Sequence, residues 1–264
     1  MSDTLNSSQL YAPAETFQVD ALTVRFYNCE AQLTEDAAKV AWQYLQNLLA
    51  RQNTATVILA TGNSQIKFLE ALVANGGLDW SRIILFHLDE YLGIDAEHPA
   101  SFRRYLRERM EKKAKPSMFH YIEGDAMQPI AECERYTQLL LAQPIDLCCL
   151  GLGENGHLAF NEPSVADFHD PHYVKLVKLE SATRQQQVNQ GYFPNLEAVP
   201  QYAFTLTIPT LCLARKILCL APENRKALAV SQMLKDESFS IPASVLRTQA
   251  QATLFVDANS ASLL

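Results

Sequence analysis

The feature that most narrows what this chain can fold into is a repeated alternation: short apolar runs, each followed by a loop and then by an apolar pattern of helical period. Residues 56–60 (TVILA), 82–88 (RIILFHL), 145–150 (IDLCCL), 216–221 (KILCLA) and 252–256 (ATLFV) are near-continuous apolar segments without a regular polar face. A strand of that kind is buried on both sides, the condition of a parallel sheet covered by helices above and below. Val40, Ala41, Tyr44, Leu45 and Leu48 recur at helical spacing, as do Ile66, Leu69 and Val73. Further helices are predicted from about residue 101 and over 224–234, and further strands over 21–27 and 202–207. The reading is a doubly wound α/β fold with a mostly parallel sheet and helices on both faces. No Pro/Gly/Ser-rich linker divides the chain and no 20 to 50-residue period repeats, so one domain over 1–264 is expected, with 1–18 a peripheral N-terminal segment.

The 264 residues are 48% hydrophobic and 19% charged, enough apolar material for a buried core and too little charge bias for a disordered chain. A formal net charge of −7 argues against a basic face able to hold nucleic acid, but leaves room for one phosphate on a small ligand. The N-terminus lacks a basic region followed by an apolar one. No run approaches the ~20 apolar residues a membrane helix requires. A cytoplasmic protein without a membrane partner is expected, and its oligomeric state, homo-oligomer included, is left open. None of the six cysteines forms a CxxC pair or a metal-ligand array, so no metal site is predicted. Cys148, Cys149, Cys212 and Cys219 lie in or beside apolar runs and are expected as reduced core residues.

Ligands of such sheets bind beyond the carboxyl ends of the strands, so the loops after Ala60, Leu88, Leu150 and Ala221 are expected to meet at one site. In the first, Thr61-Gly62-Asn63-Ser64-Gln65, glycine admits a ligand close to the backbone, hydroxyls donate, and free N–H groups at the helix start favour an anion. It lacks the Lys-Ser/Thr of a nucleotide P-loop and the GxGxxG of a dinucleotide fold, and a turn capped by Ser64 or Thr61 explains it as well. The second places Asp89 and Glu90 where a hydrophobic strand ends. A carboxylate in a partly dry cleft there would rise toward the range of a general base, whereas the alternative is a cap for the next turn.

The third loop, GLGENGHLAFNEP over 151–163, gathers Gly151, Gly153 and Gly156 around polar residues. A structural turn seldom needs three glycines, a histidine and two carboxylates in so short a span. His157 is read as a proton shuttle that Glu162 orients or holds protonated. The fourth, Pro222-Glu223-Asn224-Arg225-Lys226, sets Lys226 near a helix start, where the dipole disfavours a cation. An incoming phosphate accounts for it, as does a solvated surface lysine.

Taken together, LATGNS, FHLDEY, GLGENGHLAFNEP and ENRKALA, in this order and at these separations, resemble the glucosamine-6-phosphate deaminase/isomerase family over roughly residues 56–257. The His157 motif with its Phe-Asn-Glu-Pro ending is the most specific part. The resemblance implies a Rossmann-like domain and a cofactor-free conversion of an amino-sugar 6-phosphate into a ketose 6-phosphate and ammonia. By position, Asp89 looks like the base that moves the C2 proton to C1, and His157 like the ring-opening acid/base, supported by Asn155 and Glu162. Gly62, Asn63, Ser64 and Lys226 match phosphate-binding positions, with Thr61, Glu90, Gly156 and Arg184 expected beside them. One departure concerns the second arginine that the family carries five residues beyond its Thr-Arg pair. Here Thr183-Arg184 is followed by Asn189 at that place, which puts the sugar in question more than the chemistry. Galactosamine 6-phosphate is an alternative substrate. A 6-phosphogluconolactonase-like hydrolase and a non-catalytic sugar-phosphate sensor are alternative functions.

Overall fold

The apolar runs become the central strands of one twisted sheet. A computed structural model of the chain describes residues 12–235 and 240–264. Of the segment 1–18, residues 1–11 lie outside the described residues, while Glu15–Val19 form β1, an edge strand rather than a loose arm. There follow β2 (Leu22–Tyr27), α1 (Glu30–Leu49), β3 (Ala55–Leu59), α2 (Asn63–Ala74), β4 (Ile83–His87) and the short β5 (Asp89–Tyr91). Residues 102–114 form one helical stretch, α3 (Phe102–Leu106) and α4 (Lys112–Ala114), joined by a π-helical turn over Arg107–Glu111. Then come β6 (Met118–Phe119), α5 (Pro129–Leu141), β7 (Leu147–Gly151), β8 (Val174–Lys178), α6 (Ser181–Asn189) and β9 (Tyr202–Leu206). The chain ends with α7 (Ile208–Cys212), β10 (Ile217–Ala221), α8 (Ala227–Lys235) and β11 (Ala252–Asp257).

The main sheet runs β1-β2-β11-β10-β7-β3-β4-β6, and only the β1–β2 pair is antiparallel. Alternate residues of each central strand serve opposite faces, as a two-residue period demands. Ile58, Cys148, Leu150, Ile217, Cys219 and Leu254 pack in one core. Val57, Leu59, Leu147, Cys149, Leu218 and Phe255 pack in the other, against the apolar side of α1 and α2. Cys148, Cys149 and Cys219 are buried free thiols, and Cys212 is partly buried. Burial raises the pKa of all four, which keeps them protonated packing groups.

Tyr202 to Leu206 of the predicted 202–207 run are a strand, but not one of the parallel sheet. They form β9, the middle of a three-stranded antiparallel sheet ordered β5-β9-β8. This small sheet continues β4 beyond Leu88 and carries Asp89 on its first residue. Its outer side packs a separate cluster of Tyr91, Phe160, Val177 and Phe193, which props the small sheet beside the carboxyl ends of β3, β4, β7 and β10. Among the described residues, no helix is long and apolar enough to cross a membrane.

Candidate active site

The loops after β3, β4, β7 and β10 do converge, on one cleft walled by Thr61 to Ser64, Asp89, Gly151 to Gly153, His157, Arg225 and Lys226. Residues 99–102 and α6 close its sides, with Tyr105, Gln186 and Tyr192 turned into it.

Gly62 takes φ 104°, a left-handed value that L side chains rarely adopt, and this turns the chain from β3 into α2. The first N–H groups of α2 have no intrahelical acceptors and end at the cleft. The turn is braced from outside: Tyr105 Oη donates to the Gly62 carbonyl at 2.8 Å, and Tyr192 Oη donates to Asn63 Oδ1 at 2.7 Å. Opposite it, a 3-10 turn over Asn224–Lys226 precedes α8. Glu223 sits at φ 80°, and its N–H reaches the buried Asp257 Oδ1 at the end of β11. That bond sets the loop so that Lys226 enters the cleft with only 5% of its surface exposed. No protein carboxylate pairs with its ammonium among the described residues. Burial and the neighbouring Arg225 lower its pKa to about 8.

His157 rests on Gly153, where any Cβ would fall inside the imidazole ring's van der Waals envelope. Its Nδ1 lies 2.7 Å from Asn155 Oδ1. The backbone N–H of His157 donates to that same oxygen at 3.2 Å, which fixes the amide orientation. Nδ1 must therefore carry the proton and Nε2 the lone pair. Burial, and secondly the Lys226 charge, push the imidazole pKa well below its usual value, so the ring is neutral at physiological pH. Asp89, 7% exposed, is also on the wall, and burial followed by the Glu90 charge holds its carboxyl well above the usual carboxylate range.

Four expected site residues, three substrate contacts and the catalytic Glu162, stand elsewhere. Glu90 is fully enclosed behind the wall: adjacent residues of a strand point to opposite sides, and β5 turns Glu90 away from the cleft that Asp89 faces. Its oxygens accept from the N–H groups of Tyr91, Phe102 and Arg103 and from Ser101 Oγ, fastening the start of α3. Gly156 is likewise off the wall and serves the turn. It takes φ 80°, and a Cβ would stand 2.5 Å from Ile241 Cδ1. Glu162 is not the partner of His157, since Asn155 occupies Nδ1. It is buried and accepts the Glu180 N–H at the start of α6. Arg184 spends its guanidinium on the backbone carbonyls of Leu196 and Val199, at 2.6 and 2.9 Å, and does not reach the cleft. Asn189 accepts from Gln185 Nε2 at 3.0 Å and also lies off the main cleft.

Sequence reasoning missed Arg225, Tyr192, Tyr105 and Gln186. Arg225 stood beside Lys226 in the quoted loop, so its signal was present. The tyrosines and Gln186 reach the cleft only through the packing of α3 and α6, which no local pattern records.

Residues 28–255 match the model of a family described as glucosamine-6-phosphate isomerases/6-phosphogluconolactonase. The chain is 33% identical over 233 residues to a glucosamine-6-phosphate deaminase of an Exiguobacterium species, covering 88% of this chain and 89% of that one. It is 35% identical over 245 residues to the glucosamine-6-phosphate deaminase of Halalkalibacterium halodurans, covering 86% and 94%. A solved structure described as a monomeric glucosamine-6-phosphate deaminase superposes with a TM-score of 0.83 at 30% identity, over 91% of this chain and 99% of that one. The 6-phosphogluconolactonase of Thermotoga maritima shares the fold, with a TM-score of 0.72 at 21% identity over 89% of this chain and 99% of that one. The cleft loops fall inside the matched span, and the agreement extends over nearly the whole fold, so this chain belongs to the glucosamine-6-phosphate isomerase/6-phosphogluconolactonase family.

Proposed function

We propose that this protein converts glucosamine 6-phosphate and water into fructose 6-phosphate and ammonia. The observation that carries the reading is one cleft lined by a buried ammonium with no carboxylate paired to it among the described residues, by a buried carboxyl and by a neutral imidazole. Lys226 and the N–H groups at the start of α2 bind the phosphate, whose contacts position the reacting carbons by remote binding energy. Nε2 of His157 takes the C1 hydroxyl proton and passes it to the ring oxygen, opening the pyranose. Asp89 then removes the C2 proton, giving an enolamine across C1 and C2. The raised pKa suits it to hold that proton and return it to C1. The resulting imine at C2 adds water and releases ammonia, leaving the ketone. The protons of ring opening and of the C2-to-C1 transfer are handled by side chains of the cleft, with no metal assigned. Among the described residues no cluster of three or more His, Cys, Asp or Glu is arranged to hold one. A doubly charged sugar phosphate does not cross a bilayer unaided, which supports a cytoplasmic location.

The test is a panel of glucosamine 6-phosphate, galactosamine 6-phosphate and 6-phosphogluconolactone, assayed for ammonia, ketose and lactone loss. Ammonia and fructose 6-phosphate from the first are expected. Lactone loss alone, or binding without turnover, overturns the reading.

A further inference from the structure

The family resemblance leads one to expect a second phosphate-gripping arginine where this chain has Asn189, and the cleft contains a different guanidinium. Asn189 bonds Gln185, and Arg184 is committed to the carbonyls of the 196–199 loop, so neither supplies the missing charge. Arg225 does line the cleft, next to Lys226 in the chain and together with Asn63 and Gln190. Its Nε and Nη2 donate to the two oxygens of Glu223 at 2.8 and 3.1 Å, and Nη1 donates to Glu154 Oε1 at 3.0 Å. Glu154 is steadied in turn by Gln186 Nε2 of α6 at 2.9 Å. A guanidinium has five N–H groups. These bonds use three, leaving one on Nη1 and one on Nη2.

We propose that Arg225, on the β10–α8 loop beside Lys226, is the second cation of the phosphate site. The inference rests on the reading of this cleft as a sugar-phosphate site. A guanidinium already held by two carboxylates loses little side-chain entropy when an anion arrives. Arg225 and Lys226 repel each other, and a phosphate between them converts that repulsion into two attractions. Glu154 and Glu223 offset the two cations before ligand binds, so the site attracts phosphate by fixed donor geometry more than by excess charge.

The experiment uses the full chain and inorganic phosphate as the probe, titrated calorimetrically. It is paired with turnover of glucosamine 6-phosphate and of unphosphorylated glucosamine. Arg225→Gln is expected to raise the phosphate Kd about 10-fold or more, and to cut the preference for the phosphorylated sugar by a similar factor. Arg225→Lys, which keeps the charge and loses the fork, should fall between. Arg109→Gln, whose guanidinium stacks on Tyr105 at 4.2 Å without lining the cleft, should change the Kd less than Arg225→Gln does. Unchanged phosphate binding in Arg225→Gln overturns the inference, as does a larger loss in Arg109→Gln. Lys226→Met separates the two levels. Loss there with none in Arg225→Gln removes only the role of Arg225, and no loss in either removes the phosphate site itself.

Discussion

His157 Nδ1 and Asn155 Oδ1 are 2.7 Å apart, and because that oxygen also accepts the His157 backbone N–H, the imidazole is held with its lone pair on Nε2. A neutral amide orients the ring without favouring its charged form. Asn155→Asp would keep the bond and add a negative charge beside Nδ1, so the His157 pKa should rise toward or above the ordinary value of ~6.5. NMR titration of the His157 Cε1–H is the measurement. In the wild-type protein the ring should stay neutral through pH 6, whereas in Asn155→Asp a protonation step should appear at higher pH. An unmoved titration would mean the two side chains do not share this bond.

The same ring predicts the behaviour of Gly153. A methyl group there has no free space, and the neighbour that must yield is the imidazole itself. Gly153→Ala should therefore displace His157 and lower kcat about 100-fold, the scale of a misplacement of about 1 Å. The core under β7 does not depend on Gly153, so the thermal midpoint should move little by comparison. A full-activity Gly153→Ala enzyme would show that His157 does not act from this position.

The strands of the large sheet were legible because both faces of each are buried: a run such as Val57-Ile58-Leu59 has no other low-energy home. The small sheet was not legible as a unit. β5 is three residues long, and the apolar content of 202–207 shows a strand without showing its partners. That gap also explains the misplacement of Glu90. Asp89 and Glu90 are equivalent acidic residues in a loop, and become opposite in role only when a strand turns one to the cleft and the other to α3. The place of Gly62, Asn63, Ser64 and Lys226 on the cleft wall was readable because the loops after the strands meet at the carboxyl edge of the sheet in this architecture. Arg184 was not, because its partners, the carbonyls of Leu196 and Val199, lie on a loop whose course the sequence leaves open.

Arg184 is thus expected to act on stability. Arg184→Ala removes a charged donor from two backbone carbonyls and should destabilise the protein by about 1–3 kcal/mol. It should weaken phosphate binding far less than Lys226→Met does. Denaturant unfolding and phosphate titration of both variants make the comparison. Equal loss of phosphate affinity in the two would place the Arg184 guanidinium in the cleft after all.

In the proposed reaction Asp89 carries the proton transfer from C2 to C1. It lies on the cleft wall with its carboxyl raised by burial and by the Glu90 charge, and as a base it acts only when deprotonated. The sign follows directly: as pH falls through this raised pKa, the active form is lost, so the acid limb of kcat/KM should lie above the ~3.9 of a free aspartate. His157, neutral throughout, should not contribute a limb near 6.5. Asp89→Asn keeps the shape and removes the base, so sugar phosphate should still bind while kcat drops by about 10²–10⁴. In deuterated water the wild-type enzyme should place label at C1 of the ketose in proportion to exchange at Asp89. In Asp89→Asn both turnover and labelling should collapse together. His157→Gln should differ: it acts before proton abstraction, and so should slow the cyclic sugar more than a substrate supplied in open form. Near wild-type turnover and labelling in Asp89→Asn would move the proton transfer to another group. Glu90, with all its hydrogen bonds directed behind the wall, could take that role only by releasing the start of α3.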